Sequence, residues 1–262
     1  MGAGLAVLVS ILSVPAWAED TEEAWGDLSM PPQQQRVWSV MVGGGVGVAP
    51  HYEGADRYRF QLVPFVKASY RDFVTLGPEG LGVTVFRADG FSVTPTIGYG
   101  GGRKESQDSN LKGLGTIQSA VTAGVVLKYQ TGPFSFEIAP RDAVVHSKDG
   151  FETSFAADYA WRLAPRLRLA VGPELTVVDG RYERTYFGVD AQQSARSGKR
   201  IYTPGGGVKD VGLAGTLTYG FGEHWTLLTR ISDRELVGDA ANSPIVRSKN
   251  DASVTTGVAY RF

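Results

Sequence analysis

Ser253-Val254-Thr255-Thr256-Gly257-Val258-Ala259-Tyr260-Arg261-Phe262 ends the chain, and its character alternates at nearly every step. Val254, Thr256, Val258, Tyr260 and Phe262 fall on one face; Ser253, Thr255, Gly257, Ala259 and Arg261 fall on the other. A period of two is the signature of a strand whose two faces meet different surroundings. The same alternation recurs upstream. Val211, Leu213, Leu217, Tyr219 and Phe221 oppose Gly212, Ala214, Thr216, Thr218 and Gly220. Leu167, Leu169, Val171, Leu175 and Val177 oppose Arg168, Ala170, Gly172, Glu174 and Thr176, and Phe151, Phe155, Tyr159 and Trp161 oppose Glu152, Ser154, Asp158 and Arg162. Further strands are expected over 134–145, 121–129, 91–99, 60–70 and 38–48.

The polar faces decide what kind of sheet this is. They consist mainly of Gly, Ala, Ser and Thr with scattered Arg and Glu, which suits a confined lumen better than bulk water. The apolar faces end in aromatics, Tyr70, Tyr99, Tyr129, Trp161, Tyr219, Trp225, Tyr260 and Phe262, where the interfacial girdles of a membrane barrel sit. A soluble sandwich or lipocalin-like barrel is the alternative. After residue 18 no apolar run approaches the ~20 residues of a spanning helix, so a membrane-inserted chain must be a closed barrel.

Composition agrees. The 262 residues include no Cys, and a large closed sheet needs no disulfide staple in an exported protein. A formal net charge of −1 advertises no nucleic-acid face. Residues 5–14 form a short apolar run followed by Pro15 and Ala16-Trp17-Ala18, the pattern of a secretory signal cleaved between Ala18 and Glu19, although Met1-Gly2-Ala3-Gly4 lacks the usual basic residue. Residues 1–18 are therefore read as signal peptide, 19–35 as a flexible acidic and Pro/Gln-rich periplasmic lead-in, and 36–262 as the barrel.

Connections alternate in length. Tight turns are expected near Arg71-Asp72, Asp89-Gly90, Thr131-Gly132, Ala164-Pro165 and Glu223-His224; longer polar loops are expected at 50–57, 102–113, 179–206 and 237–248. With the last strand descending to the periplasm, the long loops lie outside. An even strand number then requires residues 73–87 to be split at Gly77-Pro78-Glu79-Gly80. The expected fold is an all-β, transmembrane, antiparallel up-and-down barrel of about 12 strands, with 10 as the alternative.

Little in the chain advertises chemistry. His51, His146 and His224 share no metal-ligand spacing, and no metal or cofactor site is expected. His146-Ser147 has residue types used by barrel-embedded lipid enzymes, but adjacent residues on a turn point apart, so no catalytic residue is assigned. Gly43-Gly44-Gly45-Val46-Gly47 lies in a strand, not before a helix, and reads as a place of bending or close backbone approach. The lumen-facing charges Lys67, Lys128, Glu137, Arg141, Glu152, Asp158, Arg162, Arg168, Glu174 and Arg230 are mixed in sign. They suit an internal ion-pair network or, alternatively, a small-solute pore lined by both signs.

Several blocks resemble the MipA/OmpV family of outer-membrane proteins. They are Tyr186-Phe187-Gly188-Val189 with Gln193-Ser194-Ala195 and Ser197-Gly198, then Tyr202, Gly205-Gly206-Gly207, Asp210 and Trp225, and the run Arg234-Glu235-Leu236-Val237-Gly238-Asp239-Ala240-Ala241-Asn242-Ser243-Pro244-Ile245-Val246. Pro50-His51-Tyr52-Glu53-Gly54, Arg71-Asp72-Phe73 and Gly80-Leu81-Gly82 extend the likeness toward the N-terminus. The resemblance implies a non-enzymatic Gram-negative outer-membrane barrel. It also implies a scaffold that joins a lytic murein transglycosylase to a bifunctional penicillin-binding protein, while other members are linked to adhesion or to antibiotic and osmotic response. A small-solute channel and an outward-facing adhesin or receptor are the rival expectations. Two sets of residues are singled out. Tyr260 and Phe262 are the expected signal to the barrel-assembly machinery that delivers the chain to the bilayer. Tyr186, Phe187, Gly188, Gly238, Asp239, Ser243 and Pro244 are expected to fold two outer loops together as a plug, with Asn and Ser capping backbone amides and Pro fixing φ.

Overall fold

The computed structural model describes residues 37–71, 73–77, 80–145 and 150–262. The expected signal peptide and lead-in, and His146-Ser147, lie outside the described residues. One antiparallel sheet holds thirteen strand segments. Gly80–Val83 and Phe86–Ala88 both pair with Phe91–Gly100, with the register slipping by one residue between them, so they are two pieces of a single strand. The wall therefore has twelve strands: β1 Trp38–Pro50, β2 Tyr58–Tyr70, β3 Val74–Gly77, the broken β4, β5 Phe91–Gly100, β6 Ala120–Thr131, β7 Phe134–Val145, β8 Phe151–Ala164, β9 Leu167–Val178, β10 Gly207–Phe221, β11 Trp225–Leu236 and β12 Asn250–Arg261.

Each strand pairs with its sequence neighbour, and β1 pairs with β12 from Met41↔Arg261 to Val48↔Val254, which closes the ring. Closure removes the free edges that an open sheet would expose. It also needs two backbones to approach where a side chain would intervene. A Cβ on Gly43 would lie 2.3 Å from the Val258 carbonyl oxygen, and one on Gly45 would lie 2.2 Å from that of Thr256. The glycine run thus serves the seam, as its sequence suggested.

The two faces follow the alternation. Phe60, Leu62, Val66, Leu213 and Ile231 project outward and are more than half exposed, as lipid-facing residues must be in the isolated chain. Lys67, Lys128, Glu137, Ala139, Glu174, Ala214 and Thr218 project inward and are buried. At the end with the short turns, the outward side chains form an aromatic belt. Trp38 packs at a tilt against Tyr70 (ring centroids 4.8 Å apart), Tyr159 against Trp161 (4.5 Å), and Trp225, Tyr260 and Phe262 contact one another in sequence (5.0 and 4.9 Å). The opposite end carries the long connections 51–57, 101–119, 179–206 and 237–249. His51 lies at this end and His224 at the other, as loop parity required.

The wall is not uniform. β3 and the upper piece of β4 have four residues each, against thirteen in β2. β3 pairs with β2 only at Ala68, Ser69 and Tyr70.

Candidate functional site

The long connections do not hang free; they fold into one another. Residues 179–206 form two short helices, α1 Gly180–Tyr186 and α2 Ala191–Ser197, and 238–241 form a third, α3 Gly238–Ala241. Asp179 caps α1 by accepting from the Tyr182 amide at 2.8 Å. Asp190 and Gln193 cap α2 reciprocally, with Asp190 Oδ1 accepting from the Gln193 amide and Gln193 Oε1 from the Asp190 amide. Helices of seven residues are marginal alone, so packing must hold them.

Two apolar clusters supply it. Tyr52, Ala55, Leu111, Leu114, Val189 and Ile245 form one, drawn from four loops. Val178, Tyr182, Phe187, Leu236 and Ala240 form the other, at the rim. Hydrogen bonds tie the loops across sequence. Ser243 Oγ donates to the Phe187 carbonyl at 2.6 Å, and the Gly205 amide donates to Asp239 Oδ2 at 2.7 Å. Asn110 Nδ2 donates to the Ile245 carbonyl at 2.7 Å, and Tyr52 Oη reaches the same oxygen at 3.1 Å. Lys199 Nζ donates to Asn110 Oδ1 at 2.6 Å.

Of the residues singled out by sequence, Phe187 and Ser243 meet directly, and Asp239 holds Gly205 of the longer loop. Gly188 sits so close to α1 that a Cβ there would lie 2.3 Å from the Arg184 carbonyl oxygen, while Gly238 has φ of 56° and opens α3. Tyr186 Oη donates to the Gly101 carbonyl at 2.9 Å, and the Pro244 carbonyl accepts from Lys199 Nζ at 3.3 Å. Asn242 departs from the expected amide cap: its Nδ2 donates to the Gly238 carbonyl at 2.9 Å, closing α3. Tyr260 and Phe262 lie at the opposite end, where the Phe262 amide donates to the Val40 carbonyl at 2.9 Å. The 101–119 loop was not singled out, yet Asn110, Leu111 and Leu114 are central to the cluster. Leu111 and Leu114 offered an apolar pair inside a polar loop, which was the available signal.

Beneath the loops lies a cavity of about 430 Å³ lined by Tyr52, Tyr182, Tyr186 and Phe187 above and by inward strand residues below. Its charges are largely paired. Arg141 Nε meets Glu152 Oε1 at 2.5 Å, Arg230 meets Glu174, and Lys209 Nζ meets Glu53 Oε1 at 2.5 Å and Asp210 Oδ2 at 3.3 Å. Lys209 stands at a β-bulge, where Thr176 pairs with Asp210 and Val177 with Val208, so that Lys209 and Asp210 both point inward. Burial opposes the ionisation of Glu53, but the Lys209 ammonium outweighs it and holds the carboxyl below its usual range. Sequence reading missed this rim cluster because a bulge breaks the period-two rule on which it relied.

A closed twelve-stranded barrel with a lipid-facing apolar surface, an aromatic belt and interlocked loops at one end is an outer-membrane β-barrel. The chain belongs to the MipA family: residues 42–262 match the family model described as MltA-interacting protein MipA. Its location in the outer membrane follows from both findings. Solved structures that it resembles include the KdgM porin (10% identity, TM-score 0.43, covering 85% of this chain and 99% of the porin). The NanC porin (12%, 0.41, 85% and 98%) and the outer membrane channel DcaP of Acinetobacter baumannii (7%, 0.40, 86% and 96%) are also similar. No match to a curated protein was found.

Proposed function

We propose that the protein is an outer-membrane scaffold for murein-processing enzymes, working from its periplasmic rim. The family's description as an MltA-interacting protein carries this reading. The interlocked loops agree with it, since a plug of buried and hydrogen-bonded residues suits a barrel whose task is not bulk diffusion. The partners in this reading are a lytic murein transglycosylase and a bifunctional penicillin-binding protein. The short turns offer little area, whereas a stable interface usually buries ~800 Å² per partner. The acidic lead-in, with Glu19-Asp20-Thr21-Glu22-Glu23, supplies further surface whose charge suits a basic partner. The test is affinity capture on the immobilised protein from detergent-solubilised envelopes. The full chain is expected to retain both enzymes, and a folded barrel lacking residues 20–35 to lose them. Retention by the truncated barrel, with loss in variants of the 179–206 loop, would overturn the periplasmic reading in favour of an outward-facing receptor or adhesin.

A second reading, small-solute passage, is favoured by one observation: the cavity lining carries both signs of charge under the loops. Steady conductance of the intact protein in planar bilayers would support it; a silent bilayer would leave the scaffold alone.

A further inference from the structure

The short β3–β4 hairpin leaves a gap in the wall. β2 is paired with β1 along its whole length, from Tyr58↔Pro50 to Tyr70↔Trp38, but with β3 only at its last three residues. On the side away from β1, the β2 backbone between Tyr58 and Lys67 has no strand partner among the described residues. Across the gap, β5 pairs with β4 no higher than Ile97. Three strand spacings of ~4.8 Å separate β2 from β5 at the level of the hairpin, so the gap begins ~14 Å wide.

It faces lipid. The outward residues on its β2 border are Phe60, Leu62 and Val66, which are 66%, 69% and 55% exposed. Its level is that of the upper β2, toward the long loops and so within the outer leaflet. An unpaired backbone group in hydrocarbon costs several kcal/mol, and irregular backbone at that depth is tolerated where it lines a cavity. Here it does. Arg59, Gln61, Val63 and Phe65, the inward residues of β2 along the gap, line the 430 Å³ cavity, and so do Tyr99 to Arg103 at the far border.

The lining has an unusual composition for an outer-membrane lumen. Val63 and Phe65 put an apolar strip beside the gap, and Met41, level with Lys67, continues it deeper in the lumen. Two guanidinium groups beside it make no contact ion pair: among the described residues, neither Arg59 nor Arg103 lies within salt-bridge distance of a carboxylate, Glu53 acting on Arg103 only from farther off, and the Nε of each is buried without a hydrogen-bond partner. Arg103 is only 6% exposed, and among the described residues its side chain makes one directional bond, from Nη1 to the Tyr186 carbonyl. A buried N–H of a cation left without an acceptor is costly, and a planar guanidinium matches a carboxylate. The volume lies at the low end for small-molecule pockets, enough for one acyl chain and its head and too small for a multi-chain lipid.

We propose that the gap between β2 and β5 is a lateral portal admitting a single fatty acid from the outer leaflet into the cavity, with its chain along Val63 and Phe65 and its carboxylate held by Arg59 and Arg103. This reading is independent of the scaffold role. The test uses the full-length protein in phospholipid vesicles with a palmitate analogue bearing a photoreactive group near its tail. Crosslinks are expected on the inward residues Val63 and Phe65 and to be competed by palmitate but not by hexadecanol. An Arg59→Gln, Arg103→Gln variant with unchanged heat-modifiable mobility is expected to weaken competition by at least about tenfold. Crosslinks confined to outward residues would overturn the portal in the native protein, whatever the variant does. Equal competition by hexadecanol, or stronger competition by a lysophosphatidic acid, would overturn the carboxylate assignment.

Discussion

Glu183 is the most improbable side chain of the loop cluster. It is 1% exposed, and its Oε2 has no hydrogen-bond partner among the described residues. Burial pushes its carboxyl up to about 7; the Lys209 ammonium opposes the shift, while Asp239 and Glu53 add to it. A carboxyl whose folded pKa lies above its unfolded value binds more protons in the folded state between the two. Its contribution to stability is thus greatest below about 4.5 and is lost as pH rises toward 7. Amide protection in α1, corrected for the intrinsic exchange rate, is expected to fall across that window in the native protein and to stay level in Glu183→Gln. A level profile in the native protein would contradict this account. Ser243 gives a second test at this scale. Its hydroxyl donates to the Phe187 carbonyl at 2.6 Å and accepts from the Ile245 amide at 3.2 Å, both buried. Ser243→Ala leaves those backbone groups unsatisfied, at about 1–3 kcal/mol. Protease nicking of the 179–206 loop is expected to accelerate while the barrel keeps its heat-modifiable mobility.

Among the elements, the strands state their own role most clearly. Leu213, 60% exposed on β10, faces lipid, whereas Thr255 on β12 lines the cavity. Leu213→Arg is expected to cost about 2–4 kcal/mol in denaturant unfolding from bilayers, and Thr255→Lys far less. Equal costs would mean the faces are misassigned. At the seam, Gly45→Val places a Cβ against backbone on β12 and is expected to abolish closure, while Gly44→Ala, with nothing nearer than 3.9 Å, should be tolerated. These strands were legible in the sequence because lipid and lumen select opposite chemistries at alternate positions. Twelve was legible only through parity, since β3 and β4 are too short to show a period of their own. The helices α1 and α2 were not read, although Asp179, Asp190 and Gln193 are ordinary capping residues. Their formation depends on Phe187 and Val189 finding partners from 52, 111, 236 and 245, which no local pattern encodes. The two arginines without a contact carboxylate among the described residues were equally hidden. Arg59 sits in a strand face like any other, and only the missing neighbour on β2 gives it a role.

At the scale of the whole molecule, the loops and the wall make separable claims. Removing residues 181–204 and joining Gly180 to Gly205 would take Val189 from one apolar cluster and Tyr182 and Phe187 from the other. The shortened protein is expected to conduct ions in planar bilayers where the native protein does not; equal conductance would show that the loops occlude nothing. The seam has a consequence of another kind. Arg261 and Met41 face each other across it from 220 positions apart, so the first strand made is joined to the last. Contacts of such separation form slowly, because a long loop must close before any bond rewards it. Until the final residues arrive, β1 and the growing end each offer an unsatisfied edge to any passing strand. A variant in which β12 cannot pair is therefore expected to self-associate through the bared edge of β1, and not merely to lose a strand.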